Sequence, residues 1–565
     1  MARTPHMRVL QRLVRLHTAA DRQGVDVAEA EGRARAMAAS DAGLTRREIL
    51  RRGAVAGAGA TVGGWALSSG RAFAAGPKTQ PTIAIVGAGI SGITCARSLK
   101  DLGFSNVTVY EAAPYIGGRT ATNTTSWDAG QWTEWGGELI DTNHATIHAL
   151  CERYGLDLIE LPTVQTPGSK DTIVIDGAYY PWADMVAEWE ASGADAVLDQ
   201  QMRTLPTWPW PYDAKWSAAA LAISDMTVRD WVERYIPGGY GSRLGKFVSL
   251  AYVLEYGAEA HEQSALDLIC LLGFGTKMPA DDWWIWAESD ERWKIVGGNQ
   301  QLSHLQAAEI GSANIKLGWQ MTALKANATG TVTLTFTAGG QTKTVTADRV
   351  VLALPIGVLK EIQARGGFAN SGFDARKKAQ IAAMPMGAVH KLHVQTTDRF
   401  YGKPGPWGNG TGSAFGERFG QFWDGTWGEP GTRGIVCNYF AGDAARAVVP
   451  PKPWGETTDA DPATAQFVKA QAATFLKQVE PAFPGMTARA TGKATLAAWH
   501  TSPFQRGAYS YWSPGYVQKY CTYERVPQGR VHFAGEHCSQ DFQGFINGGA
   551  EEGERAAKEL LALYR

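Results

Sequence analysis

The glycine-rich sequence GAGISG constrains this chain most, because a strand, a helix and an acid surround it in a set order. An apolar run at residues 83–86 leads into the glycines of residues 87–92. A helical pattern follows, and a second apolar run at residues 107–110 ends in Glu111, 19 residues after the last glycine. This order and spacing predict a βαβ unit that binds a dinucleotide.

Each glycine of this turn has its own expected role. Gly87 allows the tight turn, Gly89 lets the backbone approach a pyrophosphate, and Gly92 lets the helix pack closely on the strand. The helix N-terminus then offers unpaired N–H groups and a partial positive charge to the phosphates. Glu111 is expected to accept hydrogen bonds from ribose hydroxyls.

The residues after Glu111 indicate which dinucleotide is bound. GGRT at residues 117–120 resembles a signature of flavoproteins in the amine oxidase superfamily, which nicotinamide-dependent dehydrogenases do not usually carry. Arg119, next to Gly118, would give a diphosphate a permanent and bidentate charge partner. The sequence therefore favours FAD, with Gly118 and Arg119 on its diphosphate or flavin side.

Composition narrows the class of partner. The 565 residues are 44% hydrophobic and 19% charged, and the formal net charge is −1. This is an ordinary globular balance. No long basic run occurs past residue 75, which argues against nucleic acid as a partner. The six cysteines form no CxxC pair, so the sequence indicates no metal site.

The first 76 residues are typical of targeting rather than of a fold. Arg46 and Arg47 lie in TRREIL, which resembles a twin-arginine export signal. An uncharged run at residues 53–70 leads to an A-x-A cleavage site at residues 72–74, and its glycines argue against a stable membrane span. We expect an exported protein, periplasmic or extracellular. A cytoplasmic protein with a basic N-terminal arm is the alternative.

Four separated segments resemble the flavin-containing amine oxidase family, which includes monoamine, polyamine and L-amino acid oxidases. The first is VGAGISG with the acid and GGRT that follow it. The others are KIVGGNQQL at residues 294–302, VVLALP at residues 350–355, and FAGEHCSQDFQGFINGGAEEGERAA at residues 533–557. The resemblance covers roughly residues 80–565.

This resemblance implies an α/β fold with two domains. A Rossmann-like FAD-binding domain would be discontinuous, assembled from residues 80–144, 288–375 and 495–565. An α+β substrate-binding domain would comprise residues 145–287 and 376–494. The active site would lie where the two domains meet.

The segment MPMGAVHK at residues 384–391 resembles the family segment that ends in a lysine on a strand. In the family this lysine holds a water at flavin N5 and assists reoxidation by oxygen, so the resemblance implies that role for Lys391. Strand alternation would put Lys391 and Val389 on one face, and His390 and Leu392 on the other. Burial would lower the pKa of Lys391.

The resemblance also implies an aromatic cage beside the flavin. Tyr509 would supply one wall and Phe545 the opposite one, so that two rings steer the amine. With Lys391, these are the expected catalytic residues. Ala508 stands where mammalian monoamine oxidases carry the cysteine that binds flavin covalently, so we expect noncovalent FAD.

The FAGE sequence near the C-terminus supplies two more expected cofactor residues. Gly535 and Glu536 follow the predicted strand at residues 531–534, and the resemblance puts them near the FAD diphosphate or ribityl chain. The glycine pair at residues 548–549 and the helix after it would bring a second helix N-terminus towards the flavin.

Glu138 bears on the substrate class. L-amino acid oxidases usually carry an arginine in this motif to pair with the substrate carboxylate, whereas this chain has GGELID at residues 136–141 and no arginine before Arg153. A carboxylate there would repel an amino acid's carboxylate and could attract a cationic amine. Glu138 is therefore a predicted substrate residue. Two alternatives stay open: Arg506 folds into the site, or Glu138 is structural.

These inferences predict an FAD-dependent amine oxidase. It would transfer a hydride from an amine to flavin, give an imine and then an aldehyde, and reduce O2 to H2O2. One alternative is an L-amino acid oxidase or a tryptophan 2-monooxygenase-like enzyme. Others are an amine dehydrogenase that uses a carrier protein and a nonenzymatic flavin-binding protein. The expected partners are a small-molecule amine and O2, with a homodimer left open.

Overall fold

A computed structural model describes residues 5–41, 76–165, 171–273, 290–403, 413–417 and 419–565. The twin-arginine pair and the expected cleavage site lie outside these ranges.

Helices occur along most of the described ranges. In chain order they are α1 (Pro5–Gln23), α2 (Val27–Asp41), α3 (Ile90–Asp101), α4 (Ala145–Tyr154), α5 (Leu161–Val164), α6 (Trp182–Ser192), α7 (Ala194–Thr204), α8 (Ala218–Ser224), α9 (Val228–Tyr235), α10 (Arg243–Tyr256), α11 (Ala265–Leu272), α12 (Gln300–Ile310), α13 (Ile356–Ala364), α14 (Ala375–Ala383), α15 (Gly442–Arg446), α16 (Pro462–Val479), α17 (Met486–Arg489), α18 (Val517–Tyr520) and α19 (Ile546–Tyr564).

The strands follow the same order. They are β1 (Ile83–Val86), β2 (Val107–Glu111), β3 (Thr122–Asn123), β4 (Thr133–Glu134), β5 (Leu158–Glu160), β6 (Thr172–Ile175), β7 (Ala178–Tyr179), β8 (Trp293–Ile295), β9 (Ile315–Leu317), β10 (Trp319–Ala326), β11 (Val332–Ala338), β12 (Gln341–Ala347), β13 (Arg349–Leu352), β14 (Val389–Thr396), β15 (Ser413–Gly416), β16 (Gly420–Asp424), β17 (Gly434–Ala441), β18 (Trp454–Glu456), β19 (Ala490–Ala498) and β20 (Val531–Phe533).

A parallel sheet carries the glycine-rich turn, and its described strands run in the order β20-β13-β1-β2-β9. The predicted succession of strand, turn, helix and strand is confirmed as β1, α3 and β2. Both faces of β1 are buried, which explains its continuous apolar sequence. Ile83 and Ile85 pack with α3 and α19, whereas Ala84 and Val86 face the core on the other side.

An antiparallel sheet of β10, β11 and β12 covers that second face. Its apolar side alternates along β11, where Leu334 and Phe336 are fully buried. The ring of Phe336 stacks on Tyr110 of β2 at a centroid distance of 4.8 Å. This contact joins the two sheets at the carboxyl end of β2, next to Glu111.

A third large sheet is mixed, and its described strands run in the order β18-β19-β14-β17-β16-β15-β6-β7. Every residue of the central strand β14 is buried. Leu392 and Val394 pack on one face against α16, through Val468 and Phe475. Lys391 is on the opposite face, paired in register with Tyr439 of β17. Each of these two sheets is assembled from strands that lie far apart in the sequence. The boundaries of the two domains stay a prediction.

The N-terminal extension differs from the expectation of a segment outside the fold. Helix α1 packs against α6, α7, α10 and α11, and its residues Leu10 and Leu13 are fully buried. Gln11 is 3% exposed and donates from Nε2 to the carbonyl of Leu271 at 3.0 Å. Apolar residues spaced three and four apart form one face of α1, and this face packs against α6, α7, α10 and α11. At least this part of the extension belongs to the core.

Within the described ranges, no helix is both long enough and apolar enough to cross a membrane. The same ranges hold no group of three histidine, cysteine or acidic side chains placed to bind a metal ion.

Candidate active site

The turn between β1 and α3 is a tight cradle whose geometry requires glycine. Gly87 has a φ of +106°, and a Cβ there would lie 2.5 Å from the carbonyl oxygen of Ala353. A Cβ on Gly92 would lie 1.9 Å from the carbonyl oxygen of Gly87. Gly89 is the N-cap of α3, so the first N–H groups of the helix open onto the cavity that this turn lines. All three predicted glycines therefore lie at the junction of β1 and α3.

GGRT closes the cradle from the other side. The N–H of Gly117 donates to the carbonyl of Ala88 at 2.9 Å, which fastens the two glycine segments together. Gly118 has a φ of +59°, and a Cβ on it would lie 3.1 Å from the Cα of Gly89. The two backbones approach each other closely because neither carries a side chain there.

Glu111 lies at the end of β2 and lines the same cavity. Its carboxylate accepts the N–H groups of Ala88 and Ala113, each at 2.7 Å. Burial raises the pKa of Glu111, and these backbone hydrogen bonds partly offset the rise. A carboxylate offers about four lone-pair sites, so Glu111 keeps acceptor capacity for the hydroxyls of a ribose.

Arg119 and Glu536 form an ion pair, with Nη1 and Oε1 3.0 Å apart. Arg119 also donates to the carbonyl of Ala508, and Glu536 accepts from Ser510 and from the N–H of Gly544. Burial raises the pKa of Glu536, but the charge of Arg119, the nearby His537 and the hydrogen bonds from Ser510 and Arg119 together lower it more, and the net shift is downwards. Two predicted cofactor residues from opposite ends of the chain therefore meet at one point.

A second helix N-terminus points at the cavity from α19. Phe545 is its N-cap, and Ile546 and Gly549 of its first turn line the cavity with Gly535. Gly535 has a φ of +135°, a conformation open to glycine. Two helix starts, α3 and α19, thus face one space.

Lys391 is a charged group whose three protons all have acceptors. Its Nζ donates to Glu138 Oε2 at 2.7 Å and to the carbonyls of Gly136 at 3.0 Å and Glu134 at 3.2 Å. Burial lowers the pKa of Lys391, but the charge of Glu138, its hydrogen bond and smaller contributions from neighbouring groups together raise it more, and the pKa lies above its usual value. The expectation of a lowered pKa is therefore wrong, because the partner carboxylate is distant in the chain and no local pattern indicates it.

Glu138 lies in the cavity but its charge is neutralised. Oε2 accepts from Lys391, and Oε1 accepts from Nε1 of Trp423 at 3.2 Å. Burial raises the pKa of Glu138, but Lys391 and then Lys294 lower it to about 2. The pair of Lys391 and Glu138 is 5% exposed on each side and carries no net charge.

A second buried ion pair, between Lys294 and Glu429, supports the first. Lys294 follows Trp293 on β8, and its Nζ lies 5.0 Å from the ring centroid of Trp132. The sequence patterns did not single out Lys294 or Glu429. The one signal in the sequence was that Lys294 is the first residue of the KIVGGN motif. The motif does not indicate that this lysine lies beside Glu138.

Aromatic side chains form the cavity wall beyond Lys391. Tyr509, Phe545, Trp423 and Tyr439 all line it, and the hydroxyls of Tyr439 and Tyr509 are hydrogen-bonded to each other. Tyr509 Oη also donates to the carbonyl of Leu254 at 3.4 Å. Trp423 and Tyr439 lie on β16 and β17, in segments that carry no recognisable motif, and sequence reasoning missed them.

One continuous cavity of about 490 Å³ joins these parts. Gly87 and Glu111 belong to its lining, as do Lys391 and Tyr509. The glycine cradle and the aromatic wall therefore open onto one space.

The family model described as "Flavin containing amine oxidoreductase" matches residues 90–561, most of the chain. The chain belongs to the flavin-containing amine oxidoreductases. It is accordingly an oxidoreductase, and the function as an amine oxidase is supported over the alternatives.

Relatives match this amine oxidoreductase along most of their own length. "Amine oxidase [flavin-containing] B" of Cavia porcellus is 24% identical over 500 residues, which cover 85% of this chain and 86% of the relative. "Amine oxidase [flavin-containing]" of Oncorhynchus mykiss is 22% identical over 507 residues, covering 85% of each.

Solved structures share the fold. Cyclohexylamine oxidase from Brevibacterium oxydans IH-35A has a TM-score of 0.68 at 23% identity, covering 86% of this chain and 100% of that one. Wild-type putrescine oxidase bound to putrescine has a TM-score of 0.65 at 20% identity, covering 86% and 99%. At these identities the likeness shows the mixed α/β fold.

The cradle of this flavin-containing oxidoreductase fits a flavin dinucleotide. Ser91 lines it at the start of α3, and its buried Oγ has no hydrogen-bond partner among the described residues. A phosphate oxygen would accept from this hydroxyl and from the nearby helix N–H groups. Glu111 would take the ribose, and Arg119 would provide positive charge.

No arginine is placed for a substrate carboxylate in the part of the chain that the structure describes. The arginines that line the cavity there are Arg119, paired with Glu536, and Arg365, paired with Glu361. Arg506 is partly exposed and pairs with the same Glu361 at 2.6 Å, outside the lining.

Proposed function

We propose that the protein is an FAD-dependent amine oxidase whose FAD-binding domain is Rossmann-like and discontinuous. The observation that carries the proposal is the continuous cavity, which runs from the glycine cradle of β1 and α3 to Lys391 and the aromatic wall. A nucleotide in the cradle would reach the aromatic wall through this cavity, because both line the same continuous space. Parallel strands ending at the cradle support a dinucleotide there.

When bound, FAD would accept a hydride from the carbon beside the amine nitrogen and pass the electrons to O2, giving H2O2 and an imine that hydrolyses to an aldehyde. The chain's own residues bind and orient the reactants. Gly89 and Gly118 leave room for the diphosphate, and Gly87 and Gly92 let the turn and α3 pack closely beside it. Arg119, held by Glu536, would balance its charge.

The pair of Lys391 and Glu138 sets the electrostatics of the reacting end. Because this pair is neutral as a whole, it does not favour an ammonium over a neutral amine there. The Lys391 ammonium itself remains a fixed positive group near the cavity, held by three acceptors. Preorganised charge of this kind stabilises negative charge that develops close to it.

Tyr509 and Phe545 would hold the amine and exclude water. Both line the cavity, and Tyr509 is fixed by hydrogen bonds to Tyr439 and to the carbonyl of Leu254. A fixed aromatic wall orients a substrate at low entropic cost. It also favours the neutral amine, since an apolar surface disfavours the charged form.

The substrate class we propose is an amine without an α-carboxylate. The support is that each cavity-lining arginine among the described residues already has a carboxylate partner. Relatives named as amine, cyclohexylamine and putrescine oxidases are consistent with amines as substrates.

A substrate panel tests this proposal on the purified yellow protein. Peroxide release with amines, and none with amino acids, is the expected result. Activity with amino acids alone would support an L-amino acid oxidase or a tryptophan 2-monooxygenase-like enzyme. Amine-dependent bleaching of the flavin without air, followed by slow reoxidation, would support a dehydrogenase. No bleaching by any amine would leave a nonenzymatic flavin protein.

We also propose that FAD is bound noncovalently, because Ala508 lines the cavity where a covalent link would need a cysteine. Acid precipitation should release the yellow chromophore into the supernatant. A fluorescent band that persists in a denaturing gel would contradict this.

Export by the twin-arginine-type signal remains a proposal, as does a homodimer. Cell fractionation with N-terminal sequencing tests export, and it also reports whether α1 stays with the mature protein. Sedimentation velocity tests the assembly.

A further inference from the structure

Glu291 is a buried carboxyl of the active-site cavity that none of the roles above uses. Its residue is 2% exposed and lines the cavity. Neither Oε1 nor Oε2 has a hydrogen-bond partner among the described residues. Buried carboxyl groups are normally paired or hydrogen-bonded, because burying one alone is unfavourable. Both oxygens are therefore available to a ligand in the cavity.

The backbone at Glu291 is also unusual. Its φ is 45°, in the left-handed region that residues other than glycine seldom adopt. The conformation is held by its N–H, which donates to Asp141 Oδ1 at 2.7 Å, and Asp141 lines the cavity as well. Strained backbone tends to persist at functional sites. At this position it holds a carboxyl with no partner among the described residues against the cavity.

The charges around Glu291 are mostly negative. Burial raises the pKa of Glu291 well above its usual value, Arg8 of α1 lowers it, and Asp141, Glu255 of α10 and Asp290 raise it further. Arg8 does not bond the carboxylate; its Nη1 donates to the carbonyl of Asp290 at 3.5 Å. Of these acids Asp141 lines the cavity with Glu291, so a cation entering here would meet two carboxyl groups.

The cavity is therefore electrostatically uneven. Lys391 neutralises Glu138 in the cavity lining, whereas Glu291 in the same lining has no cation bonded to it among the described residues. Lys391 bonds Glu138, and the N–H of Glu291 bonds Asp141, three residues further along the chain. Cα atoms three residues apart lie at most about 11 Å from each other, so the two carboxyl groups belong to neighbouring parts of the cavity lining. Diamines of increasing length measure the spacing between them.

We propose that Glu291 is a specificity-determining residue that binds a cationic group at the far end of an amine substrate. The preferred substrates are then α,ω-diamines, with one amine neutral near Lys391 and the other protonated at Glu291. This inference rests on the proposed amine oxidase function. When the ammonium binds, the Glu291 carboxyl releases its proton to solvent and becomes a carboxylate. No other bond forms or breaks.

The test compares α,ω-diamines of three to eight carbons with 1-aminoalkanes of equal length, in the wild-type holoenzyme and in Glu291→Gln. We expect KM for the best diamine to rise about tenfold or more in Glu291→Gln, which corresponds to about 1.4 kcal/mol. The KM of the matched monoamine should stay within about twofold, since it carries no second charge. Glu160→Gln is the control, because Glu160 pairs with Arg292 and lies outside the cavity lining.

A second measurement does not depend on turnover. Dithionite-reduced holoenzyme cannot accept a hydride, so calorimetric titration reports binding alone. Diamine binding should weaken in Glu291→Gln and be partly kept in Glu291→Asp. Equal losses for diamine and monoamine, or no loss for either, would overturn the role of Glu291. If the wild-type enzyme oxidises no amine at all, the proposed function fails instead, and reduced-enzyme binding still decides the role of Glu291.

Discussion

At the scale of residues, Lys391 and Glu138 form an ion pair in the lining of the cavity. The pKa of Glu138 is lowered, so its contribution to stability is present above its usual value of 4.5 and is lost as the pH falls towards 2. The pKa of Lys391 is raised, so its contribution is present below 10.5 and is lost only at higher pH. The pair is intact between these limits.

Glu138→Gln should make Lys391 titratable in the working pH range. The variant removes the charge that raises the pKa of Lys391, and burial then lowers it. We expect the rate of flavin reoxidation by O2 to gain an ionisation below pH 10.5 that the wild type lacks. Stopped-flow reoxidation across pH measures it, and an unchanged profile would exclude this electrostatic link.

Lys391→Met should slow reoxidation about tenfold or more, the effect of losing about 1.4 kcal/mol of electrostatic stabilisation. FAD affinity should change much less, because Lys391 bonds Glu138 and two backbone carbonyls rather than the nucleotide cradle. Lys493→Met is the matched control: it lies on β19 of the same sheet and pairs with Asp128 at a partly exposed site. Unchanged oxygen kinetics in Lys391→Met would refute the role.

At the scale of elements, helix α1 is part of the folded core. Leu13 is fully buried in the main hydrophobic core, so Leu13→Ala should destabilise the protein by about 2–5 kcal/mol. Asp21→Ala is the control, since Asp21 is exposed on the same helix. Thermal unfolding of the holoenzyme measures both. Equal melting temperatures would show that α1 does not contribute to the core in solution.

The contrast between α1 and the βαβ unit shows which elements sequence can predict. Strand, turn, helix and acid are local features, so β1, α3 and β2 were predictable from spacing alone. The packing of α1 was not, because its partners α10 and α11 lie more than 200 residues away and no local pattern names them. An arginine pair and a cleavage site after α1 also favoured a targeting segment.

The same distinction holds within the site. Strand alternation correctly placed Lys391 on the face opposite Leu392, but the pKa of Lys391 depends on Glu138, 253 residues away in the chain. Trp423 and Tyr439 reach the cavity only because β16 and β17 pair beside β14. Long-range strand pairing is not encoded in periodicity, so these residues required the structure.

At the scale of the whole molecule, the cavity couples the two main sheets. Gly87 and Glu111 reach it from the parallel sheet, and Val389 and Lys391 reach it from the mixed sheet. A ligand that fills this space contacts both, so its binding energy stabilises both together. Removal of FAD should therefore loosen β14 as well as β1, although only β1 leads into the glycine turn.

Hydrogen exchange of apo and FAD-loaded protein tests this coupling. Amides of β1 and β14 should both gain protection when FAD binds, whereas amides of α16 should change least, because no residue of Pro462–Val479 lines the cavity. At FAD about 100 times its Kd, the stabilisation should reach about 2.7 kcal/mol. Protection confined to β1 would mean that the parallel sheet binds FAD independently of the mixed sheet. Protection of β14 without β1 would contradict the glycine turn as the nucleotide site.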